Sequence, residues 1–304
     1  MLVGQPPIAV FDSGLGGLTV VRELRRLLPE EDVVYFGDTA RVPFGGKSPE
    51  TVLRFARETC AFLLRMNPKC IVAACNTVSA VCLRSLVDEI PVPVFGVVQP
   101  GVEAALEAAK DGDMIAVIAT EATIDSNAYD HAIHAIDPER AVVQTSCPLF
   151  VPLVEEGWSP TDSLVRTVIE RYLGTLRRLS PGVVVLGCTH YPMLRRSLAE
   201  FFGELVTLID SAGTTAKAVE NELRKRKVLS ETNERGNLHC YVSDNPKRFE
   251  SVGSRFLGET IYDVVRVCPE ELARATTDTL EPRRQQRVQP GGEECVVPPS
   301  DRHG

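Results

Sequence analysis

The chain has 304 residues, of which 44 % are hydrophobic and 24 % charged, a globular mixture with room for two ordinary domains. Thirty-three Lys and Arg against 41 Asp and Glu leave a net charge of −8, which argues against a nucleic-acid partner, because such a partner demands a basic face. No apolar run approaches the roughly 18 residues of a membrane span, and MLVGQPPIAVFDSG carries no basic segment ahead of an apolar one, so neither a membrane partner nor a signal peptide is expected.

In chain order, residues 7–11, 33–36, 70–74, 94–97, 114–119, 142–145, 183–186, 207–209 and 238–242 read as strands. Most are apolar throughout rather than alternating, which suits strands buried on both faces of a parallel sheet. Amphipathic stretches at 18–28, 49–66, 101–109, 161–179 and 214–227 lie between them and read as helices. The second opens Ser48-Pro49-Glu50: an N-cap, a proline at the first helical position, then an acid in the first turn. Strands separated by helices of this length predict βαβ units and an α/β fold with mainly parallel sheets.

The pattern repeats once. IAVFDSG followed by CIVAACNT resembles MIAVIAT followed by VVVLGCTH: each pair is one strand ending in small or polar residues, then a later strand ending in Cys. This predicts two pseudo-symmetric α/β domains facing each other across a cleft. Residues 1–97 with 208–268 would form the first, 98–207 the second, and 269–304, rich in proline, glycine and charge, a disordered tail.

Two nucleotide motifs fail on inspection. Asp12-Ser13-Gly14-Leu15-Gly16-Gly17 follows a strand and opens a helix, but G-x-G-x-x-G needs glycine where Thr19 stands; a P-loop ending Gly46-Lys47-Ser48 needs it where Arg41 stands. The turn after Asp12 still offers backbone N–H groups to a carboxylate, at the strand end where open α/β sheets build their sites.

Nine cysteines without C-x-x-C spacing fit a cytoplasmic protein with free thiols better than a disulfide framework or a zinc ribbon. Cys60, Cys70, Cys82, Cys147, Cys240 and Cys268 read as small core residues, and Cys295 lies in the tail. Cys75 in ACNT and Cys188 in GCTH differ, because each follows a buried strand and sits among Asn, Thr and His where a helix begins. A helix N-terminus lowers a thiol pKa. Two Cys and one His also resemble a zinc set, but the local ligand spacing is missing and no metal is expected. His131 and His134 read as solvated, and Glu155 in LFVPLVEEGW as a helix-terminal acid.

FDSGLGGLTV, GDTARVPFGGKSPE, ACNTVSA, PLVEEG and GCTHYPMLR, in this order over residues 7–268, resemble the glutamate racemase family, cofactor-independent amino-acid racemases whose two domains enclose the site. The resemblance implies that Cys75 and Cys188 are paired acid/base thiols, with Asp12 assisting Cys75 and with His190 and Glu155 assisting Cys188. It also implies glutamate binding by Asp12, Ser13, Pro43, Phe44, Gly45, Asn76, Thr77, Thr120, Thr123, Thr189 and His190. By the same resemblance Cys188 takes the proton of L-glutamate and Cys75 that of D-glutamate, no cofactor is needed, and the protein is a cytoplasmic homodimer supplying D-glutamate to peptidoglycan. Phe44 stands where the family usually has Tyr, and Ala119 replaces a common glycine.

Two thiols on opposite walls suit the reaction. Racemisation removes a proton from one face of Cα and delivers one to the other; with no electron sink such as pyridoxal phosphate, one base would have to cross the substrate. Thiols titrate near 8.5, and a helix N-terminus or a neighbouring His moves them toward neutrality. Ser13, Asn76, Thr77 and Thr189 offer donors to the α-carboxylate of the carbanion. Two alternatives stay open: another racemase of the superfamily, such as an aspartate racemase, or a non-catalytic amino-acid-binding protein on this scaffold.

Overall fold

The computed structural model of the chain describes residues 5–280. The nine apolar runs are strands there: β1 (Ile8–Asp12), β2 (Val33–Gly37), β3 (Cys70–Ala73), β4 (Val94–Gly96), β5 (Ile115–Ala119), β6 (Val142–Ser146), β7 (Val183–Gly187), β8 (Thr207–Asp210) and β9 (Leu238–Val242). A tenth, β10 (Val265–Arg266), has two exposed residues and hence no apolar pattern to betray it. The strands form a six-stranded sheet, β10-β9-β2-β1-β3-β4, and a four-stranded sheet, β6-β5-β7-β8. Every pairing is parallel. The order β2-β1-β3-β4 in one half is repeated as β6-β5-β7-β8 in the other, so the similarity of the strand ends has a topological counterpart.

The continuous apolar strands are buried on both faces because each face has its own core. Ile8 and Val10 of β1 point to a core containing Leu18, Val21 and Leu24 of helix Leu18–Leu27. Ala9 and Phe11 point the opposite way, to Val52, Ala56 and Cys60 of helix Pro49–Leu64. That second helix starts as its sequence prescribes: Ser48 Oγ accepts from the Thr51 N–H at 3.4 Å, with Pro49 at the first position.

Two expected boundaries move. β8 pairs with β7 from Val183↔Thr207 to Leu186↔Asp210, so residues 208–210 complete the second sheet instead of opening the return to the first. The return is made by helix Ser211–Arg226, capped by Asp210 on the Ala212 N–H, which packs against helix Leu18–Leu27 of the first half and Val98–Ala108 of the second. The expected tail is also shortened. Residues Pro269–Thr279 form a helix on Pro49–Leu64, with Leu272, Ala275 and Leu280 buried; three apolar residues along a polar segment leave little periodicity to read. The remaining 281–304, Cys295 among them, lie outside the described residues.

Cys60, Cys70, Cys82, Cys147 and Cys240 are buried, but Cys268 is exposed, because it caps that last helix. His131 is exposed, whereas His134 contacts Asp130 at 3.2 Å and the Arg140 carbonyl at 3.0 Å. No helix among the described residues is long and apolar enough to cross a membrane.

Candidate active site

The carboxyl ends of β1, β3, β5 and β7 face one cleft, and two glycines let its walls approach. A Cβ on Gly16 would sit 2.2 Å from Thr189 Oγ1 and 2.5 Å from His190 Nδ1, so only glycine allows the turn after β1 to touch the loop after β7. Gly45, in the short 3₁₀ turn Phe44–Gly46, plays the same part against Thr120, where a Cβ would come within 2.7 Å.

Between these contacts lies a cavity of about 380 Å³, within the roughly 300–1,000 Å³ typical of small-molecule sites. Ser13, Pro43, Phe44, Gly45, Cys75, Asn76, Thr77, Thr120, Glu155, Cys188, Thr189 and His190 line it. Asp12 and Thr123 stand behind the wall. Asp12 accepts from Thr189 Oγ1 at 3.5 Å and from the Gly14 N–H at 2.9 Å; Thr123 Oγ1 lies 3.0 Å from Thr120 Oγ1 and 3.4 Å from Thr77 Oγ1. Sequence reasoning missed Val42, Glu121, Pro148, Val151 and Pro152, which also line the cavity. A signal for the last two was present: positions 151, 152 and 155 share one helical face, and they lie on the helix Phe150–Glu155.

The Cys188 wall is a hydrogen-bonded line. Cys188 Sγ lies 3.8 Å from His190 Nδ1, and His190 Nε2 lies 3.0 Å from Glu155 Oε1. Burial opposes a charge on His190, but the hydrogen bonds to Cys188 and Glu155 outweigh it and push the imidazole up to about 10. Partial burial opposes a charge on Glu155 too, but His190 and then Arg248 outweigh it and hold its carboxyl below the usual range. Phe256, from helix Pro246–Leu257, meets the His190 ring edge-on with centroids 5.2 Å apart. Here the turn Tyr191–Leu194 is 3₁₀ rather than α, so the neighbouring imidazolium, not a helix end, supplies the positive charge.

The Cys75 wall is the electrostatic opposite. Cys75 caps helix Asn76–Val81, yet burial and then the Asp12 carboxylate push its thiol up to about 12; the Val78 N–H and the Ser13 hydroxyl only moderate this. Cys75 Sγ is 3.6 Å from Ser13 Oγ, with no hydrogen bond to Asp12, so Asp12 acts on it through its charge. Burial likewise raises Asp12 itself, against the His190 charge and the Gly14 and Gly17 N–H groups. Phe44 is buried, its ring centroid 5.6 Å from that of Phe55. No group of three or more metal-ligating side chains converges among the described residues.

Residues 16–219 match the family model of the Asp/Glu/hydantoin racemases. The chain belongs to that family. A glutamate racemase of Geobacter metallireducens is 50 % identical over 264 residues, covering 86 % of this chain and 97 % of the relative. The structure of a Francisella tularensis glutamate racemase in complex with D-glutamate superposes with a TM-score of 0.80 at 39 % identity, covering 86 % of this chain and 97 % of the other. One from Thermus thermophilus, in complex with β-chloro-D-alanine, gives 0.78 at 42 % identity, covering 88 % and 98 %. The α/β fold with its two parallel sheets is therefore that of the family.

Proposed function

We propose that the chain interconverts L- and D-glutamate with no cofactor, using Cys75 and Cys188 as the two acid/base groups. The observation that carries this reading is that one cavity is faced by two thiols of opposite electrostatic setting. Cys75 is buried beside the Asp12 carboxylate, and burial and then that charge push its thiol up; Cys188 sits against an imidazole that its hydrogen bonds to Cys188 and Glu155 raise.

With L-glutamate bound, the Cys188 thiolate takes the Cα proton and becomes a thiol. The electron pair left on Cα then takes a proton from the Cys75 thiol on the opposite face, which leaves Cys75 as thiolate and gives D-glutamate. The reverse reaction exchanges the roles. Burial and then Asp12 raise Cys75, which suits it to be the acid of the resting enzyme, and His190 with Glu155 assists Cys188 as the base. Ser13, Asn76, Thr77 and Thr189 supply donors for the α-carboxylate, on which negative charge develops. Pro43, Phe44 and Gly45 close the cavity from the first half, and Thr120, backed by Thr123, from the second. The D-glutamate complex of the Francisella tularensis relative supports glutamate as the ligand. On the same footing we infer a cytoplasmic homodimer serving peptidoglycan synthesis.

The test is circular dichroism of L-glutamate incubated with the purified chain in D₂O, without pyridoxal phosphate and with a chelator present. Racemisation is expected, with deuterium at Cα of the D-glutamate from the first turnovers and protium retained in unreacted L-glutamate. Early product that keeps its protium would point to a single base, and turnover restored only by added metal would overturn the mechanism.

A further inference from the structure

Asn76, beside Cys75, is a buried amide in the cavity wall. Its oxygen accepts a hydrogen bond from the Tyr129 hydroxyl at 2.7 Å, whereas its nitrogen is buried with no partner. Tyr129 comes from the other half, on helix Ala128–His134, and is itself fully buried. Its ring lies over Gly187, the last residue of β7 before Cys188: a Cβ there would be 3.2 Å from Tyr129 Cε2. One side chain thus spans from the strand end that carries Cys188 to the residue that follows Cys75.

The Tyr129 hydroxyl donates to the amide oxygen, and it lies close to Ser211, the first residue of the helix that packs on both halves: a Cβ on Gly101 would be 3.4 Å from Ser211 Cβ and 3.6 Å from the Tyr129 hydroxyl oxygen. The phenol has a single proton, and that proton goes to Asn76. The amide nitrogen must then turn away from Tyr129 with two N–H groups unsatisfied, a state that is costly in a buried site unless a ligand accepts from them.

We infer that Tyr129 is a positioning residue for substrate binding: it fixes the Asn76 amide with nitrogen toward the cavity, so that Asn76 donates to a substrate carboxylate only when the two halves are docked. This rests on the proposed glutamate reading for the ligand, but the geometry asks only for a carboxylate.

Four proteins test it: wild type, Tyr129→Phe, Asn76→Ala and the double variant, each measured for D-glutamate affinity by calorimetry and for racemisation. Binding and turnover by the wild type establish the glutamate reading independently of the variants. Tyr129→Phe keeps the ring over Gly187 and frees the amide, so affinity should fall about tenfold, as for one weakened hydrogen bond to a charged group. In the Asn76→Ala background the same change should cost almost nothing, because Tyr129 acts through that amide. An unaltered affinity in Tyr129→Phe, or an equal loss in both backgrounds, would overturn the inference. If Tyr129→Phe fails to fold, Asn76→Asp decides: a carboxylate accepts from Tyr129 but repels the ligand, so it should bind more weakly than Asn76→Ala. Binding by Asn76→Asp as tight as wild type would mean that an oxygen faces the ligand and that the inference is wrong.

Discussion

Glu155 Oε1 lies 3.0 Å from His190 Nε2, while the other ring nitrogen faces Cys188 Sγ at 3.8 Å. Both nitrogens meet an acceptor, an arrangement that suits the doubly protonated ring. The protein has built a fixed positive charge beside one thiol, and it has done so across a helix end and a loop that are 35 residues apart in the chain.

That charge makes stability depend on pH. His190 is raised from 6.5 to about 10, so its contribution is fully present below pH 6.5 and is lost as the pH rises through about 10. The thermal midpoint should therefore fall from neutral pH to pH 10 by more in the wild type than in Glu155→Gln, where the imidazolium has lost its carboxylate. Parallel curves for the two proteins would show that the pair carries no linkage.

Changing either thiol to Ala should lower racemisation by at least the roughly 10²–10⁴-fold of a lost general acid or base. Because the two enantiomers are equal in energy, kcat/KM must fall equally in the two directions. Combining the changes should cost little more than one alone, since the thiols act as a unit. A Cys75→Ala variant with near-normal turnover would contradict the two-thiol mechanism.

Gly16→Ala places a methyl group where Thr189 Oγ1 would be 2.2 Å away and His190 Nδ1 2.5 Å away. The halves must part slightly to admit it, at about 1–3 kcal/mol of stability. A displacement of that kind at a reacting site costs about a hundredfold in kcat/KM. Steady-state kinetics and a melting curve on the same preparation check both numbers.

Phe44→Tyr should change kcat/KM by no more than about fivefold, the worth of one neutral hydrogen bond. The ring is already held by Phe55 and lines the cavity. A hundredfold gain would show that this chain is tuned to a different substrate.

Leu272→Ala should destabilise the protein by about 2–5 kcal/mol, as for other buried leucines, and lower the thermal midpoint by several degrees. Leu272 is fully buried, on a helix seated on Pro49–Leu64. An unaltered midpoint would mean that the helix adds nothing to the fold.

The elements of the fold were legible in the sequence where their cause is local. β1, β2, β3, β5 and β7 show as apolar runs because a strand buried on both faces needs apolar side chains at every position, and Ser48-Pro49 marks a helix start because capping involves only neighbouring residues. Cys75 and Cys188 stood out because polar residues at the end of a buried strand break its pattern. Pairing is another matter. Whether β8 extends the second sheet, whether β10 exists, and whether residues 269–279 dock are decided by surfaces remote in sequence, and the residues concerned carry little periodicity. The electrostatic difference between the two thiols is also tertiary. Both motifs read as a thiol at a helix start, yet burial beside Asp12 raises Cys75 while His190, set by Glu155, faces Cys188. Nor does any local pattern join Tyr129 to Asn76, 53 residues apart. Charge and hydrogen bonding act through space, so only folding brings together the groups that determine them.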